Sequence, residues 1–201
     1  MRIIAGQNRG QKLATPKGHE VRPILDRVRE SLFGILRDDV AGVRVADLFA
    51  GTGVIGLEAL SRGAEFCTFI ERDHACVATI GENIRRTRRE SETRVVHGDA
   101  FRAAEVVAEG GACGLIFVDP PYRLMRSRRN FEKVEELVTR LGEPDILGDG
   151  GLVVLRCPAE VDVPGHLGCL VQVDRRRYGG MKLAFSRRGG VAKARGAGLS
   201  F

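Results

Sequence analysis

The chain has 201 residues, 43% of them hydrophobic, which is enough for a sizeable core without disulfide or metal staples. No run approaches the ~20 apolar residues of a bilayer span, and the opening MRIIAGQNRGQKL does not read as a signal peptide. The net charge of +6, with a pI near 9.4, points to an anionic partner, nucleic acid ahead of a membrane surface.

In chain order, residues 2–6 and 10–14 read as a β-hairpin around Asn8-Arg9-Gly10. A Pro/Gly loop follows from Pro16 to Gly18, and Pro23 is placed to open a helix. Leu25, Val28, Leu32, Ile35 and Leu36 fall at helical spacing, so this helix is expected to run to about Arg37. Beyond Gly42 the pattern becomes strand–helix alternation. VRVADLF, EFCTFIE, TRVVHGD, CGLIFVD and GGLVVLRC read as strands. GTGVIGLEALSRG, DHACVATIGENIRR (Asp73 as N-cap), AFRAAEVVAEGG and NFEKVEELVTRL read as helices. Strands this continuously apolar predict a parallel sheet covered on both faces. After Pro158, LGCLVQVDRRRYG and GMKLAFSRR predict two strands joined at Gly179-Gly180, an antiparallel edge. The expected fold class is therefore α/β: a doubly wound, mostly parallel sheet with an antiparallel C-terminal edge, plus an N-terminal hairpin and helix. Its expected parts are a 1–40 extension, a 41–188 catalytic domain and a basic, disordered tail over 189–201.

The five cysteines, Cys67, Cys76, Cys113, Cys157 and Cys169, are scattered and never form Cys-x-x-Cys. They read as reduced, mostly buried thiols of a cytosolic protein. His74 and Cys76 are too few for a metal site, and no metal is expected.

The stretch DLFAGTGVIG places Gly51, Gly53 and Gly56 in G-x-G-x-x-G between a strand and a helix, with Glu71 ending the next strand about 20 residues on. That pattern suits a ribose held by the carboxylate. The competing reading is a plain βα turn with a solvated acid. Asp47, just before the loop, is a poor neighbour for pyrophosphate and a good one for an ammonium group. This favours S-adenosylmethionine over NAD. Asp99 suits either the adenine amino group, with Ala100 and Phe101 along the ring, or a helix N-cap. FVDPPY ends the fourth strand. The prolines stop the ladder and stiffen the turn. Asp119 and the Pro120 carbonyl are then fixed acceptors for the two hydrogens of an exocyclic amine, and Tyr122 a platform for its base. A simple strand stop is the bland alternative.

The set DLFAGTG, FIE, HGDAF and DPPY resembles the class I S-adenosylmethionine-dependent methyltransferases that act on exocyclic amines. MRIIAGQNRGQKLATP, RPILDRVRESLFGIL and DLFAGTGVIGLEALSRGA closely resemble the bacterial 16S rRNA guanine-N2 methyltransferase family that modifies guanine 966. The resemblance implies cofactor contacts at Asp47, Gly51, Thr52, Gly53, Glu71, Arg72, Asp99, Ala100 and Asp119. It implies chemistry at Asp119, Pro120, Pro121 and Tyr122, and a cofactor and substrate mouth shaped by Arg22, Pro23, Arg27 and Glu30. Ile24 departs from the family's usual Thr and Gly34 from its usual Asn.

Basic residues at Arg2, Arg9, Lys12, Arg22, Arg27, Arg123, Arg126, Arg128 and Arg129 are candidates for RNA phosphate. Arg85 to Arg89 reads mainly as a solvated helix end. The expected partner is small-subunit rRNA or an assembling small subunit, met by a cytoplasmic monomer without a membrane. The rival readings are an adenine-N6 methyltransferase on RNA or DNA, an NAD enzyme, and a non-catalytic rRNA assembly factor.

Overall fold

The computed structural model describes residues 1–16 and 24–189; Arg22, Pro23 and most of the expected tail lie outside them. The first helix, α1 (Asp26–Leu36), starts later than Pro23, with extended Leu25 at its N-cap. It buries Val28, Leu32, Phe33 and Leu36 as one stripe, the three- and four-residue spacing seen in the sequence.

The alternation then holds. Strands β1 (Arg44–Leu48), β2 (Phe66–Glu71), β3 (Thr93–His97), β4 (Cys113–Val118) and β5 (Leu147–Pro158) pair in parallel. Between them run α2 (Val54–Ser61), α3 (His74–Thr87), α4 (Ala103–Glu109), a one-turn α5 (Tyr122–Met125) that the periodicity did not announce, and α6 (Arg128–Leu141). The chain finishes with β6 (His166–Leu167), β7 (Leu170–Tyr178) and β8 (Met181–Arg188), giving the sheet order β3-β2-β1-β4-β5-β8-β7-β6. Burial explains why β8 rather than β7 lies against β5. Lys182 to Ser186 is buried throughout, whereas Arg175 to Arg177 is exposed. A strand buried on both faces needs a neighbour on each side, while a charged strand suits the margin.

The two faces carry separate cores. Leu32, Phe33, Leu60, Phe69, Ile80, Phe117 and Phe185 fill one; Ile70, Ile116, Phe131, Val134, Val138 and Leu147 fill the other. Among the described residues no helix is long and apolar enough to cross a membrane.

The expected N-terminal hairpin is present as a short antiparallel pairing of residues 2–6 with 10–14. Arg2 bridges Lys12, the Ile3 N–H to Gln11 carbonyl and Leu13 N–H to Met1 carbonyl bonds are each 3.0 Å, and the Gly10 N–H bonds the Ile3 carbonyl at 2.9 Å. Four other amides, of Ile4, Ala5, Gln7 and Asn8, tie the hairpin to the body through Glu58 and Ser61. Glu58 accepts from the Ile4 and Ala5 amides at 2.8 and 3.1 Å, and the Ser61 hydroxyl from Asn8 at 2.9 Å. Gly6, at φ +82°, backs onto the Ser61 carbonyl so closely that a Cβ would sit 1.8 Å from it. Glu58, fully buried, pairs with Arg29 and Arg62 at 3.6 and 2.8 Å, which holds the segment, α1 and α2 together. The arginine run at the end of α3 is corrected in part. Arg89 is buried and donates to Gln7 at 2.6 Å and Asn8 at 3.0 Å, while Arg85, Arg86 and Arg88 remain exposed.

Candidate active site

Parallel strands leave their carboxyl ends on one rim, and the register brings four acids to it. Leu48 lies level with Ile70 and Val118, and Glu71 with His97. Asp47, Glu71, Asp99 and Asp119 therefore gather where the sequence placed them.

The glycine loop is locked from three sides. Gly51 and Gly53 have φ of +57° and +74°, which a side chain would strain. Gly56 faces Phe69 and Cys67, where a Cβ would come within 2.4 Å of the ring and 2.6 Å of the sulfur. Glu71 clips the loop to β2: Oε2 accepts from the Gly51 amide at 2.8 Å, while Oε1 accepts from the Arg72 and Asp73 amides at 2.8 and 2.9 Å. Three of about four lone-pair sites on this carboxylate are thus engaged by backbone. Buried Asn83, which the sequence did not single out, donates to the Thr52 carbonyl at 3.0 Å and exchanges two bonds with Ala14. The loop and the N-terminal segment share that one amide.

Asp47 lies beneath the loop, 1% exposed. Its Oδ2 accepts from the Gly56 amide at 2.9 Å, and its Oδ1 is buried without a partner. Burial pushes its pKa well above the usual carboxylate range; the Gly56 N–H opposes this, and the nearby Asp119 and Glu71 add to it. Asp99 accepts from the Phe101 amide at 3.1 Å, capping the 3-10 turn Ala100–Arg102 that precedes α4. Phe101 meets Phe49 edge-on, with ring centroids 5.6 Å apart. Phe49 was also missed. Its φ of +57° is unusual for a side chain of this size, and the only hint was an aromatic inside DLFAG.

At the end of β4, the Asp119 amide bonds the Leu48 carbonyl at 3.3 Å before the two prolines end the ladder. Pro121, in extended conformation, caps α5 and places Tyr122 at its first position, partly exposed. The sequence treated Asp119 as an open acceptor. In the structure Arg156, from β5, donates through Nε to Asp119 Oδ1 at 2.5 Å, and its guanidinium lies 5.8 Å from the centre of the Tyr122 ring. Burial raises the Asp119 pKa, and the Arg156 charge and hydrogen bond pull it back. Tyr122 is likewise raised, by burial first, with Arg156 opposing.

The basic residues fall into two groups. Arg123, Arg126, Arg128 and Arg129 are exposed around α5 and the start of α6. Arg128 pairs with Glu132 and Glu135 at 3.1 and 3.5 Å. Arg2 and Arg9 are exposed and line a cavity of about 270 Å³ together with Asp26 and Glu30. Lys12 and Arg27 are exposed. Among the described residues no cluster of His, Cys, Asp or Glu is arranged to hold a metal ion.

The strand order, the antiparallel edge and the glycine turn after β1 define a class I methyltransferase fold of the Rossmann-like type. The chain belongs to the family described as Conserved hypothetical protein 95, whose model matches residues 1–187. It is 37% identical over 164 residues to "Ribosomal RNA small subunit methyltransferase D" of Escherichia coli strain K12, covering 82% of this chain and 78% of that one. It is 35% identical over 192 residues to "Putative rRNA methyltransferase YlbH" of Bacillus subtilis, covering 94% and 100%. Among solved structures, "Putative methyltransferase yhhF from Escherichia coli" superposes with a TM-score of 0.77 at 34% identity, covering 94% and 97%.

Proposed function

We propose that this protein transfers a methyl group from S-adenosylmethionine to the N2 amine of a guanine in small-subunit rRNA, in the cytoplasm. The observation that carries the reading is Asp119-Pro120-Pro121-Tyr122 at the end of β4, on the same rim as the Glu71-clipped glycine loop. The names of the relatives support rRNA as the substrate class.

The donor set fits this cofactor. Asp47 keeps a buried oxygen without a partner beneath the loop, which suits the cofactor's ammonium group and repels pyrophosphate. Gly51, Thr52 and Gly53 would lie along the methionine part. Glu71 and Arg72 would take the ribose, and Asp99, Ala100, Phe101 and Phe49 the adenine side. When bound, the cofactor supplies an electrophilic methyl group whose bond to sulfur breaks toward sulfur.

The chain's own part is to hold the amine. Asp119 and the Pro120 carbonyl accept its two hydrogens, which draws the lone pair away from the ring and toward the methyl group. The positive charge growing on nitrogen faces a carboxylate, and the surplus proton leaves to Asp119 or solvent. Tyr122 stacks on the base, which must be turned out of its stack or lie in a loop to reach the site. Arg123, Arg126 and Arg129 beside α5 are placed for the flanking phosphates.

The test is transfer of labelled methyl from S-adenosylmethionine to small-subunit RNA, naked and in assembled particles. Label is expected in the RNA with the wild-type chain and is expected to fall by about 100-fold or more with Asp119→Ala. Equal labelling by both proteins would refute the assignment.

A further inference from the structure

We propose that Arg156 is a positioning residue for the transfer: it fixes Asp119 through Oδ1 and keeps it ionised, which leaves Oδ2 and the Pro120 carbonyl to face the target amine. This deepens the reading of Asp119 given above and rests on it. The geometry comes from the sheet. Val118 pairs with Leu155, so the next residues along, Asp119 and Arg156, stand side by side. On its other flank Arg156 pairs with buried Leu183 of β8. The Nε–Oδ1 bond is 2.5 Å, and the two side chains are only 14% and 16% exposed.

A carboxyl group in so enclosed a place tends to take up a proton. A protonated Asp119 would offer the amine an O–H donor in place of one of its acceptors. The groups facing Asp119 do little to prevent this. Asp47 of β1, Glu71 of β2 and Tyr122 of α5, with Glu160 near Tyr122, supply no positive charge there. Arg156 is a cation in direct contact with Asp119. Its bond also fixes which oxygen is left over. With the guanidinium on one side of the Tyr122 ring, the other face stays available to a base.

The test is a carboxyl carbon-13 NMR titration of Asp119 in the full chain, wild type against Arg156→Gln. It is paired with kcat and KM for small-subunit RNA across pH, and with thermal melting to verify folding. Burial without the Arg156 charge should move the Asp119 titration, and the acid limb of kcat, to higher pH. kcat near neutral pH should fall about tenfold or more, with KM and cofactor Kd within about twofold, and Arg156→Lys should recover much of the loss. An unchanged Asp119 titration would overturn the proposal. So would a lower KM with undiminished kcat, which would make Arg156 an occupant of the base's seat. If the wild type methylates no RNA, the functional reading fails by itself, while the titration still decides whether Arg156 governs Asp119.

Discussion

At the residue scale, the site contrasts a half-buried acid with a fully buried one. Asp119 has a cation to hold its charge, and Asp47 has one backbone amide and an oxygen left over. For Asp47 the folded-state pKa lies above its ordinary value of 3.8, so its contribution to stability is complete below that value and is lost as pH climbs through the raised one. Asp47→Asn carries no such proton. Its melting temperature should therefore vary less between about pH 5 and pH 8 than the wild type's, while cofactor affinity falls. Melting curves across that range, with calorimetric titration of S-adenosylmethionine, check both. A variant whose pH dependence matches the wild type's would show that Asp47 is ionised throughout. The acids of this site were legible in the sequence because each lies at or just beside the carboxyl end of a strand. Arg156 was not, because its place beside Asp119 depends on the β4–β5 register, which no local pattern states. Asn83 escaped for a similar reason, since it acts across 31 and 69 residues of chain, and Phe49 because its part lies in a backbone angle that its residue type does not suggest.

At the scale of elements, strand–helix alternation was readable because parallel strands buried on both faces leave continuous apolar runs. The N-terminal hairpin was readable from its turn residues; its docking was not, because the Ile4 and Asn8 amides go to Glu58 and Ser61, more than 50 residues away. Two glycines test how the elements meet. Gly56 lies where α2 packs on β2, and Gly56→Ala would drive a methyl group into Phe69 and Cys67. Overpacking there should cost about 1–3 kcal/mol. Gly34 is exposed in α1, and a Cβ there would meet nothing within 4 Å, so Gly34→Ala should stabilise the chain by about 0.5–1 kcal/mol. Denaturant unfolding of both variants separates tight packing from helix propensity; a neutral Gly56→Ala would contradict the packing described. Ile24, by contrast, is only 4% exposed and belongs to the same core as α1, so it trades a hydroxyl for apolar packing.

At the scale of the whole molecule, the positive surplus is distributed relative to the rim. Arg123, Arg126 and Arg129 are exposed just beyond Tyr122 and have no carboxylate partner among the described residues. The sheet extends the same side outward: the row from Asp119 passes through Arg156 and Leu183 to Arg176, three strands away, or about 15 Å. Replacing Arg123, Arg126 and Arg129 together by Gln should weaken binding to small-subunit RNA and flatten its salt dependence by about two to three units of log–log slope. Cofactor affinity should be unchanged. Binding measured from low to moderate salt checks this, and an unchanged slope would move the RNA path elsewhere on the surface. The sequence showed that the chain is basic; which arginines remain free became visible only with the fold, since Arg89 is consumed in the interior and Arg128 pairs with Glu132 and Glu135.

The most direct measurement of the central claim is nucleoside analysis of small-subunit RNA methylated by the wild-type chain and by Asp119→Ala. N2-methylguanosine is expected with the wild type, and its disappearance with the variant. N6-methyladenosine, or N2-methylguanosine formed equally by both, would contradict the claim.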